Sequence, residues 1–415
     1  MITPLLGPNG KIPLLIRDDD INFFTKSSML EKIYGDAWEN QFKTSLSIIP
    51  YQKGINDVCI PPNVRKSNKY YSFEENKELC LFLQEKIKQN NIEIIQHGVS
   101  HIMLDGRGEY SLDVNKYYEM NMIFNEIGNI YFKNFKINNI GKHHNIPNNI
   151  DFESYTNVGK DIIKKSIGIT PEFFAPPYDD ISLENVRLLL KQNIIPVYGQ
   201  SIYHKFFRSS FIPNRIKKYL ANKIMKKFDN TGFIVPFILL HDDYYNRQNQ
   251  GIMLHLPKRP SRNLFSNNGK GSSQPFVDWI LSTITYCNEH RTPLCILNHY
   301  HHYFYDWNCD TVTRKDLFDQ WKKILDLMNN IPFSWKTSFF ELYERIKGIK
   351  KIRISKTGSK ITIDLNHDLV ENISFKIDNN LKFESSENIL FDEQNETIFT
   401  IIKLKPDFKY VFYSK

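Results

Sequence analysis

Over about the first 345 positions, short apolar runs alternate with longer amphipathic stretches. Residues 12–16, 45–49, 92–95, 173–174, 194–197, 233–240 and 293–297 read as strands. Helical periodicity fills the gaps at 29–39, 113–126, 154–166, 183–192, 275–289 and 314–328. Ser72-Phe73-Glu74-Glu75 has the spacing of a capping box and predicts a helix running to about Gln89, and Gly168 marks the end of another. Strand and helix in such alternation imply βα units around a largely parallel sheet. Repeated this often, the units predict a closed or nearly closed (β/α) barrel, with chemistry at the C-terminal ends of its strands.

The pattern changes near residue 350. Runs at 351–354, 361–365, 373–377, 389–391, 398–404 and 410–413 are short and β-rich, with Asn, Asp, Gly and Ser between them. This predicts a barrel over 1–348 and a small antiparallel β domain over 349–415. Residues 201–230 interrupt the barrel alternation. They carry Lys205, Arg208, Arg215, Lys217, Lys218, Lys223, Lys226 and Lys227 among apolar side chains, as a solvated helical insertion or a basic lid toward an anionic substrate or membrane surface would.

Composition narrows the function classes. The 415 residues hold 54 basic and 46 acidic side chains, a net charge of +8 that is too mild to argue for nucleic acid. No run of apolar residues is long enough for a membrane span, and no leader-like segment opens the chain. The five cysteines (Cys59, Cys80, Cys287, Cys295, Cys309) are scattered, which suits reduced thiols in the cytoplasm better than a disulfide framework. Thirty Phe and 22 Tyr give a high aromatic content, suited to a Phe-rich core or to stacking on sugar rings.

Two segments carry candidate chemistry. The run Ile92-Glu93-Ile94-Ile95 leads into His97-Gly98-Val99-Ser100-His101, and imidazoles four residues apart share a side of a helical turn. Such a pair can hold one divalent cation at about 2.0–2.1 Å per nitrogen. Upstream, the first strand ends in Arg17-Asp18-Asp19-Asp20, which puts carboxylates at a sheet rim. A carboxylate with the histidine pair makes a three-ligand site with room for water, and so points to metal-assisted hydrolysis. Zinc suits this donor set, and cobalt, nickel or manganese would also fit. No Gly-x-Ser-x-Gly, phosphate-loop or dinucleotide fingerprint competes with this reading.

Four local patterns stand in order: Arg17-Asp18-Asp19-Asp20, His97-x-x-x-His101, Phe174-Ala175-Pro176-Pro177-Tyr178, and Leu297-Asn298-His299 within a histidine cluster. Together they resemble the NodB-homology polysaccharide deacetylases, in the divergent branch with Arg-x-Asp-Asp and His-Gly-x-x-His motifs. Arg107-Gly108-Glu109-Tyr110 also looks like an element of that branch. The resemblance covers roughly residues 8–345. It implies a distorted (β/α) barrel and a metal-dependent hydrolase of N- or O-acetyl groups on carbohydrates or glycoconjugates.

By that resemblance Asp20, His97 and His101 are the metal ligands. Asp19 is the base, although a shift of one residue would make Asp18 the base and Asp19 the ligand. The backbone N–H of Tyr178 holds the oxyanion, and His299 is the acid, with His301 and His241 in reserve. Pro177, Arg17, Glu109 and His301 are expected near substrate. Ala175 stands where better-known members carry an arginine that steadies the base, a role for which Arg17 is a candidate. The Asp-Trp element of the family is not evident. A silent carbohydrate-binding protein on this fold, or a metal-dependent hydrolase of another sugar-linked bond, is the alternative.

Overall fold

The computed structural model describes residues 2–57, 59–104, 107–110, 152–179, 181, 183–199, 233–238, 251–255, 281, 283–285, 287, 288, 291–305, 314–365, 370–377, 381–383, 389–392, 395–404 and 410–414. Its main sheet is built from β1 (Ile12–Ile21), β2 (Thr44–Ile48), β3 (Ile92–His97), β4 (Phe173–Ala175), β5 (Ile195–Pro196), β6 (Tyr198–Gly199), β7 (Phe233–Ile238), β8 (Gly251–His255), β9 (Leu294–Asn298) and β10 (Ser334–Lys336). The hydrogen-bonded order is β5-β4-β3-β2-β1-β9-β8-β7-β6, and β10 pairs with the start of β1. From β5 to β8 all neighbours are parallel; β7 runs antiparallel to β8 and β6. The two ends of this order, β5 and β6, are separated in the chain only by Val197. The sheet therefore rolls until its edges meet, and the antiparallel stretch distorts it from a regular barrel.

Alternation along β1 explains how the sheet is covered. Ile12, Leu14 and Ile16 face a core shared with α1 (Ser27–Glu39), α2 (Lys77–Lys88), α3 (Phe152–Ile167), α4 (Leu183–Lys191) and α5 (Arg314–Asn329), through residues such as Leu30, Leu83, Ile162, Leu189 and Trp321. Leu15 points the other way. It joins Ile95, Phe173, Cys295 and Leu297 in a second core filled by α6 (Phe339–Lys350) and by apolar side chains of the C-terminal region, among them Ile363, Phe375 and Phe412.

That region forms two four-stranded antiparallel sheets. One of them takes in the short strand Ile2–Pro4, which pairs with Val370–Ile377 in the register Ile2↔Ile377. Arg345 of α6 adds a clasp, donating to the carbonyls of Leu6 (3.2 Å) and Glu371 (2.6 Å).

Several elements depart from expectation. Strand β1 does not stop at Ile16 but continues to Ile21, so the aspartates lie inside it. The Ser72 capping box does not form: Phe73–Glu75 is a separate 3-10 turn, and α2 starts at Lys77 with Asn76 Oδ1 accepting from the Leu79 N–H at 3.1 Å. The capping box that does form joins Ser338 and Glu341 at the start of α6. Strand β8 had no clear sequence signal. The expected helix at 113–126, the insertion 201–230, His241 and Cys309 lie outside the described residues, as does most of the helix expected at 275–289.

Candidate metal centre

The acidic triplet is divided by a bulge. The register of β1 against β2 shifts between Asp18 and Ile21, and Asp20 takes a left-handed backbone conformation, φ 70°. Aspartate is among the side chains that tolerate this region. The shift sends the three carboxyls to different neighbours.

Asp18 is fully buried. It accepts from the Tyr34 hydroxyl of α1 and from the Tyr300 N–H at 3.1 Å. Burial pushes its pKa well above the usual carboxylate range, against the effect of those two donors. Asp18 thus ties the histidine-bearing turn Tyr300–Tyr303 to β1, and its carboxyl faces that turn rather than the rim.

Asp19 is gripped by Arg17 through two parallel bonds, Nε to Oδ1 at 2.7 Å and Nη2 to Oδ2 at 2.5 Å. The guanidinium is wholly buried and also reaches the Val197 carbonyl (3.3 Å) and Asp179 (3.4 Å). Burial alone would lower the Arg17 pKa, but the two carboxylates hold it above its ordinary value. Arg17 was expected near substrate; the structure places it behind Asp19, and Ala175 leaves no arginine to compete for that position. Asp179, which the sequence reading missed, balances the second side of the guanidinium.

Asp20 gathers the imidazoles. Its Oδ1 lies 3.0 Å from His101 Nε2 and 3.3 Å from His97 Nε2, and its Oδ2 lies 3.0 Å from His301 Nε2. His299 Nε2 is further off, at 4.0 Å. Burial alone would raise the Asp20 pKa, but the surrounding histidines, His101 foremost, hold it well below the usual range.

A ligand set for a divalent cation is recognisable here. One donor atom each from Asp20, His97 and His101 falls within 4.8 Å of the others, and all three residues are buried. Ligands about 2.0–2.1 Å from an ion at tetrahedral angles stand roughly 3.3 Å apart, close to the 3.3 and 3.0 Å that separate Asp20 Oδ1 from His97 Nε2 and His101 Nε2. Asp20 Oδ1 is buried yet accepts no well-aligned hydrogen bond. His97 Nδ1 stands 2.9 Å from the Ala175 carbonyl, which can only accept. Nδ1 therefore carries a proton, which leaves Nε2 as the nitrogen that would face an ion. The donor set fits a zinc-like ion.

The histidine pair is not helical as expected. His97 ends β3, and residues 98–101 form a tight bend wrapped around one carboxylate. Glu109 accepts from the backbone N–H of Val99 (2.6 Å), Ser100 (3.2 Å) and His101 (3.3 Å), and from the Tyr155 hydroxyl at 2.9 Å. It is fully buried, and burial raises its pKa despite these donors. Glu109 was expected to meet substrate; its position beneath the loop makes it a scaffold instead. Gly98 sits at φ 60°, where an added Cβ would collide with Glu109 Oε1 and come within 2.5 Å of Pro177 Cγ. Pro177 is buried against this glycine and so braces the loop.

Tyr178 lies in the left-handed region at φ 60°. Its ring is 4.6 Å from that of His101, and its hydroxyl donates to Asp57 Oδ2 at 3.0 Å. Asp57 Oδ2 is also 3.5 Å from His101 Nδ1. No motif marked Asp57: it sits in the loop between the paired strands Tyr51–Lys53 and Tyr70–Ser72, far from either metal motif in sequence. Asp57, Cys59 and His101 form a second group of close donor atoms. His97, His101, His299 and His301 thus surround the Asp20 carboxylate, with Tyr178 against His101, Asp19 next to Asp20 along β1, and His299 and His301 entering from the turn after β9.

No family model matches the chain, and no curated protein does. Solved structures that it resembles are polysaccharide deacetylases and related esterases. One described as a polysaccharide deacetylase from Mycobacterium smegmatis aligns at 8% identity over 84% of this chain and 94% of that one, with a TM-score of 0.39. The peptidoglycan deacetylase PdaC from Bacillus subtilis aligns at 11% identity over 83% and 96%, TM-score 0.36. The Xyl-CE4 domain of a multidomain xylanase from the hindgut metagenome of Trinervitermes trinervoides aligns at 13% over 81% and 92%, TM-score 0.34.

Proposed function

We propose that this chain is a metal-dependent hydrolase that removes acetyl groups, N- or O-linked, from a carbohydrate or glycoconjugate. The observation that carries the reading is the closeness of buried donor atoms from Asp20, His97 and His101, with Asp19, the preceding residue of β1, held by Arg17. When bound there, a divalent cation, zinc by preference, supplies Lewis acidity to the acyl oxygen and acidifies water.

The chain's own groups do the rest. Asp19, fixed in orientation by two bonds from Arg17, takes the proton of the attacking water. The Tyr178 backbone N–H donates to the oxygen on which negative charge develops. His301 is buried and holds Asp20 Oδ2, which leaves His299, less buried and further from Asp20, to protonate the leaving amine or alcohol. The pairing of Arg17 with Asp19 supplies what Ala175 lacks, and so favours an active enzyme over a silent binding protein.

A cytoplasmic setting is part of the reading. Cys59, Cys80, Cys287 and Cys295 are free and buried, as suits a reducing compartment. Among the described residues no helix is long and apolar enough to cross a membrane. Nucleic acid is no part of it, and the basic stretch at 201–230 suits a substrate that carries negative charge.

Metal content of the purified protein, joined to acetate release from a panel of acetylated sugars, tests the proposal. Acetate release should stop on chelation and return with added metal. Asp20→Ala and His97→Ala should lose both metal and turnover. Full turnover in the chelated protein would reject the mechanism, and release of phosphate or reducing ends without acetate would reject the substrate class.

A further inference from the structure

We infer that Asp57 is a positioning residue for the metal centre, the carboxylate that sets His101 and Tyr178 together. The inference rests on the metal-binding role proposed above for His101. An imidazole that binds an ion through Nε2 needs its Nδ1 proton directed elsewhere, and outer partners of this kind govern both ring orientation and basicity. For His97 that partner is the Ala175 carbonyl. For His101 the facing group is Asp57 Oδ2, at 3.5 Å from Nδ1.

The same oxygen accepts the Tyr178 hydroxyl at 3.0 Å, while Oδ1 takes the Cys59 N–H at 3.3 Å. Both oxygens are therefore committed, and the side chain has little freedom. Tyr178 lies over His101 with ring centroids 4.6 Å apart and planes inclined by 38°. His101 and Tyr178 both hold positive φ, 53° and 60°, conformations that need support from their surroundings. Asp57 reaches both from a third segment. One carboxylate oxygen thus links a metal ligand to the residue whose backbone N–H faces the reacting acyl group.

Asp57 has a rival role as a ligand in its own right, since Asp57, Cys59 and His101 offer donors within 4.8 Å of one another. The bonds to Tyr178 and to the Cys59 N–H favour positioning, because they occupy the carboxylate without an ion.

The test is titration of the metal-free protein with cobalt(II), followed by visible absorbance, for the wild type, Asp57→Ala, Asp57→Asn and His97→Ala. Circular dichroism of each variant checks folding. One ion per chain is expected in the wild type. Asp57→Ala should weaken binding by about 10- to 100-fold, with a shifted visible band. Asp57→Asn keeps the side-chain volume and an accepting oxygen, so it should lose affinity by a smaller factor. Wild-type affinity and spectrum in either folded Asp57 variant would overturn the inference while leaving the metal centre intact. Two ions in the wild type with a thiolate-to-cobalt band, falling to one in Asp57→Ala, would also overturn it, by making Asp57 a ligand. If His97→Ala binds cobalt as the wild type does, the metal centre itself is wrong.

Discussion

Gly98 shows how tightly the site is built at the scale of single residues. It combines positive φ with the near contact of Pro177 and the Glu109 carboxylate. Gly98→Ala should cost about 1–3 kcal/mol from backbone strain alone, with more from the collision, and a lowered urea midpoint will show it. Asp19→Asn should keep cobalt binding but lose most turnover, because the ligand set stays whole while the proton acceptor is gone. Normal turnover in that variant would move the base elsewhere.

His101 makes a pH prediction. Burial alone would lower its pKa, but Asp20 and Asp57 carry it up to about 10 in the metal-free chain. An unfolded histidine titrates near 6.5. The charge therefore contributes stability that is complete below about pH 6.5 and is lost as pH rises through about 10. Thermal melts of metal-free protein should show Tm falling over that window. Ion uptake at neutral pH should release a proton, measurable by calorimetry in buffers of different ionisation enthalpy. At this scale the sequence marked His97, His101 and the acidic triplet, whose types and spacing carry ligand chemistry, but left open which aspartate of the triplet would be the ligand. It was silent on Asp57 and Asp179, because a lone carboxylate in a loop has no pattern until folding brings its partner near.

At the scale of elements, the site depends on three irregular pieces set at strand ends. The bulge at the end of β1 separates Asp18 from Asp20, the bend after β3 curls around Glu109, and the turn after β9 hangs from Asp18. Periodicity marks regular strands and helices, so it placed β1, β3 and β9 but not these departures from regularity. It also favoured a helix for the His-x-x-x-His pair, since that spacing suits a helical turn. Three backbone N–H groups converging on Glu109 decide for a bend instead. Glu109→Gln keeps the shape but turns one acceptor into a donor facing N–H groups. It should destabilise the protein by about 1–3 kcal/mol and weaken metal binding, although Glu109 touches no ligand donor. Equilibrium unfolding and cobalt titration read the two effects separately.

At the scale of the whole molecule, the alternation of strand and helix was enough to read a barrel, and the change near residue 350 was enough to read antiparallel β structure. Two features escaped. Strand β8 escaped because its apolar residues, Ile252-Met253-Leu254, lie in a stretch without the strand-and-helix alternation that marked the others. The pairing of residues 2–4 with 375–377 escaped because a local pattern cannot report a partner so far along the chain. The shared core of Leu15, Phe173, α6 and the C-terminal strands implies that the C-terminal sheets are part of the barrel's stability. Urea unfolding of the full chain should follow one transition by both fluorescence and circular dichroism. Two separated transitions would mean that the C-terminal sheets stand alone.

The strand Ile2–Pro4 is synthesised long before Val370–Ile377, the segment it pairs with. Its backbone groups must wait until the intervening chain has been made before this pairing can form, and contacts that span so much chain are slow to close. A nascent chain stalled before residue 370 should therefore keep residues 2–4 open to proteolysis, and extension past residue 377 should protect them.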